Sequence, residues 1–497
     1  MTEHTFRQIE PAEMHSATRS TRRSFVKLAA ASTLASGVAW LQGSRTYAAT
    51  ASPSGLGELP RLDGDLLFDA TDRQAATGDF GYHIYRSPIA VLKPKSVDDV
   101  IRIISYANKR DLKVAMRGQG HCLYGQSQVD GGIIIDSSTL SAISLRGNEA
   151  LDAQPGALWG DLAKAALEHS LTPPVLPDAM MLTVGGTLSV GGMGETSYRL
   201  GAQVDHALEL DVVTGAGEFV TCSPERSGEL FRMVLAGLGQ CGIIVRARLR
   251  LTQAPKYVAI RTLMYDDMDV FLADQARLTT IDDVHLLNGR LTREQDGRWR
   301  FALIAGTFVT DADEGNRRPS WLAGLRQKSE VAPTTTSYWD YLNRRTASIT
   351  ASKTRKNPNP SLVLTLPSRS AQSFLTHVLS NQDVSIGIWF FEVSPKITAK
   401  FTQPLAKMPA GDLSYELRMQ RKASTENAPD HRAMLAANQA LLPLLLAAGG
   451  KVYPPFAPIL SREQWQEHYG MEAWARFVAA KKRFDPNNVL TPGAGIF

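Results

Sequence analysis

The sequence predicts an α+β protein of two domains, and three observations carry that prediction. Near the front, short apolar runs flank a helical stretch and a glycine-rich turn at 114–136, a β-α-β opening. Behind it, alternating segments broken by glycine-bearing turns read as strands and a hairpin. From about 255 the composition changes to fewer glycines and longer mixed-charge segments, up to about 440. With 497 residues, 43% of them hydrophobic and 21% charged, the chain is long enough to bury two or more cores.

The first fifty residues read as targeting. Thr21-Arg22-Arg23-Ser24-Phe25-Val26-Lys27 precedes a mild apolar run from Leu28 to Leu41, and Tyr47-Ala48-Ala49 offers small residues for cleavage. Paired arginines before such a run resemble a twin-arginine export signal, which implies a folded protein exported to the periplasm or secreted. The run is shorter than the roughly 20 residues a spanning helix needs, and no other segment is long enough, so no stable membrane span is expected.

A linker and N-terminal segment (50–84) leads into the first domain (85–254), with a second domain over 255–440 and a segment at 441–497 that returns to the first. Ile89–Pro94 reads as a strand, and the stretch from Ser96 to Asn108 as a helix with Ser96 at its N-cap and Asp98 and Asp99 in its first turn. Lys113–Met116 and Ile133–Asp136 read as strands flanking the glycine-rich loop. Helical spacing runs from Trp159 to Leu171, before Pro173-Pro174. A second glycine cluster, 182–194, marks backbone passing close to a ligand or to another segment. Leu208–Thr221 reads as a hairpin, Glu229–Gly242 as a helix entering a turn, and Ile243–Leu251 as a strand with outward arginines.

The net charge of +5 is modest, and no basic block interleaves with aromatics, so a small-molecule partner is expected and a nucleic acid is not. Three cysteines, Cys122, Cys222 and Cys241, are too few for a disulfide framework and lack metal-ligand spacing, so no metal is expected. A monomer and a dimer fit the sequence equally.

In the opening loop, Gly118 and Gly120 remove side chains so that backbone N–H groups can approach an anion, an arrangement suited to a pyrophosphate. Alone, such a loop is more often only a turn. It is not a dinucleotide fingerprint, which needs a third glycine opening a helix. Taken together, Arg117-Gly118-Gln119-Gly120-His121 with Gly125-Gln126, the segments 182–189, 208–215 and 237–240, and the ending Phe484–Phe497 resemble the cytokinin dehydrogenases, within the vanillyl-alcohol-oxidase-type FAD proteins.

That resemblance implies a two-domain PCMH-type FAD-binding fold whose second, α+β domain, a sheet covered by helices, roofs the flavin ring. It implies FAD bonded covalently through His121. It also carries flavin contacts onto Met116, Arg117, Gly118, Gln119, Gly120, Cys122, Gln126, Thr183, Gly185, Gly186, Ser189, Met193, Ile244, Tyr453 and Thr491. Cys122 stands where the family has serine, and Met181 where a second, cysteine-linked flavin bond would need its thiol.

A flavin oxidises by taking hydride at N5, so the protein must hold the donor C–H and receive the proton left behind. By resemblance Asp178 is that acceptor, binding the substrate amine N–H. The implied activity is oxidation of a C–N bond of a secondary amine, as in removal of an isoprenoid side chain from adenine to give an aldehyde, with oxygen or a quinone as electron acceptor. Leu176, Pro177, Asn359, Ser361 and Phe456 depart from the family's pattern around the substrate and leave its identity open. An alcohol, sugar or lactone oxidase of the same superfamily is the alternative, and a flavin-binding protein without turnover is a third reading.

Overall fold

The computed structural model describes residues 56–426 and 428–497, so the expected export signal lies outside the described residues. Helix Val97–Arg110 buries Val100, Ile103, Ile104 and Ala107, which recur at helical spacing. Ser96 and Asp99 close a capping box at its start. The helix packs on a four-stranded sheet ordered Asp65–Leu67, Ala90–Lys93, Ile133–Asp136, Val114–Arg117, whose last three strands are parallel. The loop expected at 114–136 leaves the end of Val114–Arg117 and returns in parallel beside it.

A second sheet of five antiparallel strands runs Ile143–Arg146, Ala150–Ala153, Gly242–Arg250, Ala207–Thr214, Phe219–Cys222. The hairpin and the strand with outward arginines are both present. Arg246 and Arg248 face outward into Asp152, Glu209 and Asp211 rather than standing alone.

Two helices are shorter than their sequence periodicity. The one starting at Trp159 ends at Leu167, and Ser170 turns left-handed (φ 59°) so that Leu171–Thr172 can pair with Thr252–Gln253. The one expected over Glu229–Gly242 covers only Gly228–Val234. Beyond it Ala236, Leu238 and Gly239 are all left-handed, and the N–H groups of Ala236 and Leu238 donate to the carbonyls of Leu188 and Ser189 at 2.9 and 2.8 Å. Those carbonyls end a short helix, Val184–Val190, formed by the second glycine cluster. Each helix end thereby satisfies the other, which offsets roughly 1–3 kcal/mol of backbone strain per left-handed non-glycine residue.

The second domain is built on an eight-stranded antiparallel sheet ordered Ser329–Ser337, Tyr257–Tyr265, Trp299–Val309, Leu286–Arg293, Ile388–Ile397, Leu413–Arg421, Leu362–Pro367, Lys451–Val452. Period-2 alternation sorts its side chains. Phe391, Val393, Tyr415, Leu417 and Met419 lie on the face covered by helices Met268–Leu278 and Ser368–Ser380, whereas Glu392, Ser394, Glu416 and Arg418 lie on the other. After Val452 the chain crosses back, and near its end Val114 N–H donates to Val489 O while Thr491 N–H donates to Val114 O, each at 2.8 Å.

A strap at 76–81 holds the glycine-rich loop from outside. Asp79 accepts the Gly125 N–H at 2.7 Å and the Gly81 N–H at 3.0 Å, and Phe80 N–H donates to Gly120 O at 2.8 Å. Gly81 must be glycine, because a Cβ there would lie 2.0 Å from Leu123 O. Burial pushes the Asp79 carboxyl up to about 7, against the two N–H groups and Arg117, which pull it down. A carboxyl protonated more readily folded than unfolded contributes stability that is complete below the ordinary carboxylate range and is lost as pH rises through about 7. Stability against thermal unfolding should therefore fall as pH rises from ~4 to ~7, by an amount on the order of a few kcal/mol, and Asp79→Asn should flatten that dependence. An unchanged slope in the variant would remove Asp79 as its source.

Candidate active site

A cleft of about 1030 Å³ lies between the glycine-rich loop, the segment 182–190, the turn 238–244 and the crossing at 453–456. Met116, Gly118, Gln119, Gly120, His121 and Cys122 form one wall. Thr183, Gly185, Gly186 and Ser189 form the second, and Ile244, Tyr453 and Thr491 close it, with Gln126 at the loop's far end. One stretch of sequence after another thus meets around a single space.

The glycines bring those walls together. A Cβ on Gly118 would lie 2.0 Å from Thr183 Oγ1, one on Gly120 2.5 Å from the Arg117 guanidinium, and one on Gly185 2.7 Å from Pro155. Their side chains are missing to admit neighbouring protein, rather than directly to admit an anion. Gly120 in addition has φ +60°, a conformation other residues rarely adopt.

Arg117 and Met193 do not line the cleft. The Arg117 guanidinium turns away and donates to Ala76 O at 3.0 Å and to Gly78 O, which locks the strap behind the loop. Gln126 lines the cleft, yet its amide donates to Pro454 O and Ala457 O at 3.0 and 3.1 Å and accepts the Tyr124 N–H at 3.0 Å, so it ties the loop to the crossing segment. The three cysteines are unbridged, and burial pushes the Cys122 thiol up to about 12, which leaves it an unreactive neutral group.

His121 sits in an aromatic row. Phe80 stacks on it with ring centroids 4.3 Å apart and planes 15° apart, Phe456 meets it edge-on at 6.3 Å, and Tyr453 stacks on Phe456 at 6.1 Å. Ser137, absent from the sequence-derived contacts, also lines the cleft, and its buried Oγ has no hydrogen-bond partner among the described residues. A polar ligand is what such an atom lacks. A cleft walled by backbone and hydroxyls at one part and aromatic rings at another fits FAD.

Asp178 lies outside the cleft lining, in an ion network behind Tyr453. Its Oδ2 accepts from Arg345 at 3.0 Å and from Arg418 at 3.1 Å, and Oδ1 makes no hydrogen bond among the described residues. Burial acts to raise this carboxyl, but Arg345 and Arg418 outweigh it and hold it below its ordinary value. Arg345 also pairs with Glu392 at 2.7 Å, and Arg418 with Glu416 at 3.2 Å. Glu195, pushed up by burial, accepts from Arg344 and the Tyr341 hydroxyl.

Sequence reasoning missed Arg345, Arg418 and Glu195 as Asp178's surroundings, and Asp79 and Phe80 as the loop's support. The alternation Ser414, Glu416, Arg418 signals a polar strand face, which is ordinarily solvated. Gly78-Asp79-Phe80-Gly81 carries a turn signal, and nothing local says that the turn meets the loop. Among the described residues no helix is long and apolar enough to cross a membrane, and no cluster of potential metal ligands occurs.

A family model described as an FAD binding domain matches residues 88–223, and one described as cytokinin dehydrogenase 1, FAD and cytokinin binding, matches residues 320–497. The chain is 35% identical over 430 residues to an uncharacterized oxidoreductase, ORF5 in the fasciation locus of Rhodococcoides fascians, covering 84% of this chain and 96% of that protein. It is 30% identical over 490 residues to cytokinin dehydrogenase 2 of Arabidopsis thaliana, covering 88% and 95%. Against cytokinin dehydrogenase 4 of Oryza sativa subsp. japonica it is 32% identical over 492 residues, covering 89% and 91%. With similarity of this extent across both domains, the chain belongs to the cytokinin dehydrogenase family and is an FAD-dependent oxidoreductase.

Proposed function

We propose that this protein oxidises the C–N bond of a secondary amine, with Asp178 as proton acceptor, and that an isoprenoid adenine is the nearest model substrate. FAD, when bound, would supply the hydride acceptor. The segments 116–122 and 183–189, with Ile244 and Thr491, would hold it, and His121 would be its covalent ligand. The arrangement of Asp178 carries this reading. Two guanidinium groups take one carboxylate oxygen and leave Oδ1 to a substrate N–H.

Held ionised by Arg345 and Arg418, the carboxylate accepts that N–H as a hydrogen bond in the resting complex. As hydride leaves the adjacent carbon, positive charge grows on nitrogen and acidifies the N–H, so the proton passes to Oδ1. The neutral imine left behind takes up water and divides into an amine and an aldehyde. The arginines make Asp178 a weak base before the reaction and fix its direction, which suits a proton that becomes acidic only during the step. Export by the twin-arginine route belongs to the same proposal and rests on Arg22-Arg23 and the apolar run behind them.

Anaerobic mixing of the purified flavoprotein with isopentenyladenine should bleach the flavin absorbance, and Asp178→Asn should slow bleaching by roughly a hundredfold or more. Bleaching by polyols in place of any amine would replace this reading with an alcohol oxidase. On a denaturing gel, flavin fluorescence should migrate with the wild-type chain and be lost in His121→Ala. Phe80→Leu, which removes the ring stacked on His121, should lower the attached fraction several-fold while the chain stays folded. Free flavin released from the denatured wild type would sink the covalent assignment.

A further inference from the structure

Around Asp178 the network holds more positive charge than it neutralises. The cations are Arg290, Arg344, Arg345, Lys396 and Arg418, and the carboxylates are Asp178, Glu195, Glu392 and Glu416. Four of these cations are ion-paired within the group: Arg344 with Glu195, Arg345 with Asp178 and Glu392, Lys396 with Glu416, and Arg418 with Asp178 and Glu416. Arg290 makes no ion pair or hydrogen bond among the described residues, and its Nε is buried.

Arg290 stands across the strands from Glu392, but that carboxylate is already engaged. Its Oε1 takes Asn288 Nδ2 at 3.0 Å and Arg345 at 2.7 Å, and its Oε2 lies 3.7 Å from Arg418. The Arg290 guanidinium lies over the Phe390 ring at 4.9 Å, and Arg345 shares that ring at 5.8 Å. A guanidinium does not give up its proton, so one set among like charges, half-buried and with its Nε shielded from water, lacks an anion partner. A planar fork resting on an aromatic ring is suited to a carboxylate or phosphate. Arg345 contacts both Asp178 and the shared ring, so the charge vacancy lies one side chain from the carboxylate that would receive the amine.

We propose that the substrate is an amine bearing a carboxylate or phosphate, and that Arg290 binds this anion while Asp178 Oδ1 takes the N–H. The proposal rests on the amine reading above and adds its substrate class. Its single new site residue is Arg290.

The experiment compares wild type, Arg290→Met and Arg290→Lys as holoproteins, after thermal unfolding has shown all three folded. The reducing probes are neutral N-isopentenylaniline and isopentenyladenine, the carboxylate para-(isopentenylamino)benzoate, and the phosphate isopentenyladenosine monophosphate. At least one anionic amine should half-reduce the flavin at roughly one tenth the concentration needed by its neutral counterpart. Arg290→Met should abolish that preference and leave the neutral amines within about twofold, and Arg290→Lys should keep most of it. Which anion is preferred distinguishes a carboxylate substrate from a phosphate one.

A second arm needs no turnover: calorimetric titration of para-aminobenzoate and of inorganic phosphate. Binding of either that weakens roughly tenfold in Arg290→Met supports the anion site even where no amine bleaches the flavin, an outcome that sinks only the amine reading. Equal affinity for charged and neutral amines, or anion binding indifferent to Arg290, overturns the proposal.

Discussion

Burial of charge between the two domains is the constraint on which the site depends. Asp178 and Glu195 come from the first domain, and Arg344, Arg345, Glu392, Glu416 and Arg418 from the second. None of these groups tolerates removal from water unless it is paired, and the pairs can form only when the loop carrying Asp178 lies against the sheet. The network therefore holds domain position and carboxylate direction together. Loss of either arginine would remove one of the two hydrogen bonds that fix Asp178 Oδ2 and leave the carboxylate freer to rotate.

The cleft is made by a different physics, that of close approach. Gly118, Gly120 and Gly185 each lack a Cβ that would strike a neighbouring segment. The walls come close because backbone can approach what side chains would keep apart. The strap 76–81 then closes the loop from behind through Asp79, Phe80 and Arg117. A rigid loop presenting one imidazole between two phenyl rings results.

These two devices divide the labour. The glycine-rich walls suit a cofactor held by shape and backbone, and the ion network suits a reaction in which a proton and the direction of one oxygen matter. Tyr453 stands at their border, lining the cleft on one side and lying within the field of Glu416 and Arg418 on the other. A ligand reaching from the cleft past Tyr453 would pass from aromatic surroundings into charged ones.

Much of this protein was legible in the residues themselves. Helical spacing at Val100, Ile103, Ile104 and Ala107, the Ser96 cap, and the glycine-rich loop between parallel strands are local signals, and local geometry obeys them. Most of the carried-over contacts also converge on one cleft, since the motifs that hold them mark turns and chain ends. Tertiary structure decided what local signals leave degenerate. The helix expected to Gly242 ends at Val234 because carbonyls of a distant helix take its turn's N–H groups. Arg117 and Gln126 face protein rather than ligand because the strap and the crossing segment, far away in sequence, supply their partners. The partners of Asp178 lie 167 and 240 residues along the chain, Arg345 at the junction of two helices and Arg418 on a strand face whose alternation alone reads as solvated. Periodicity tells which side chains share a face, and only packing tells what that face meets.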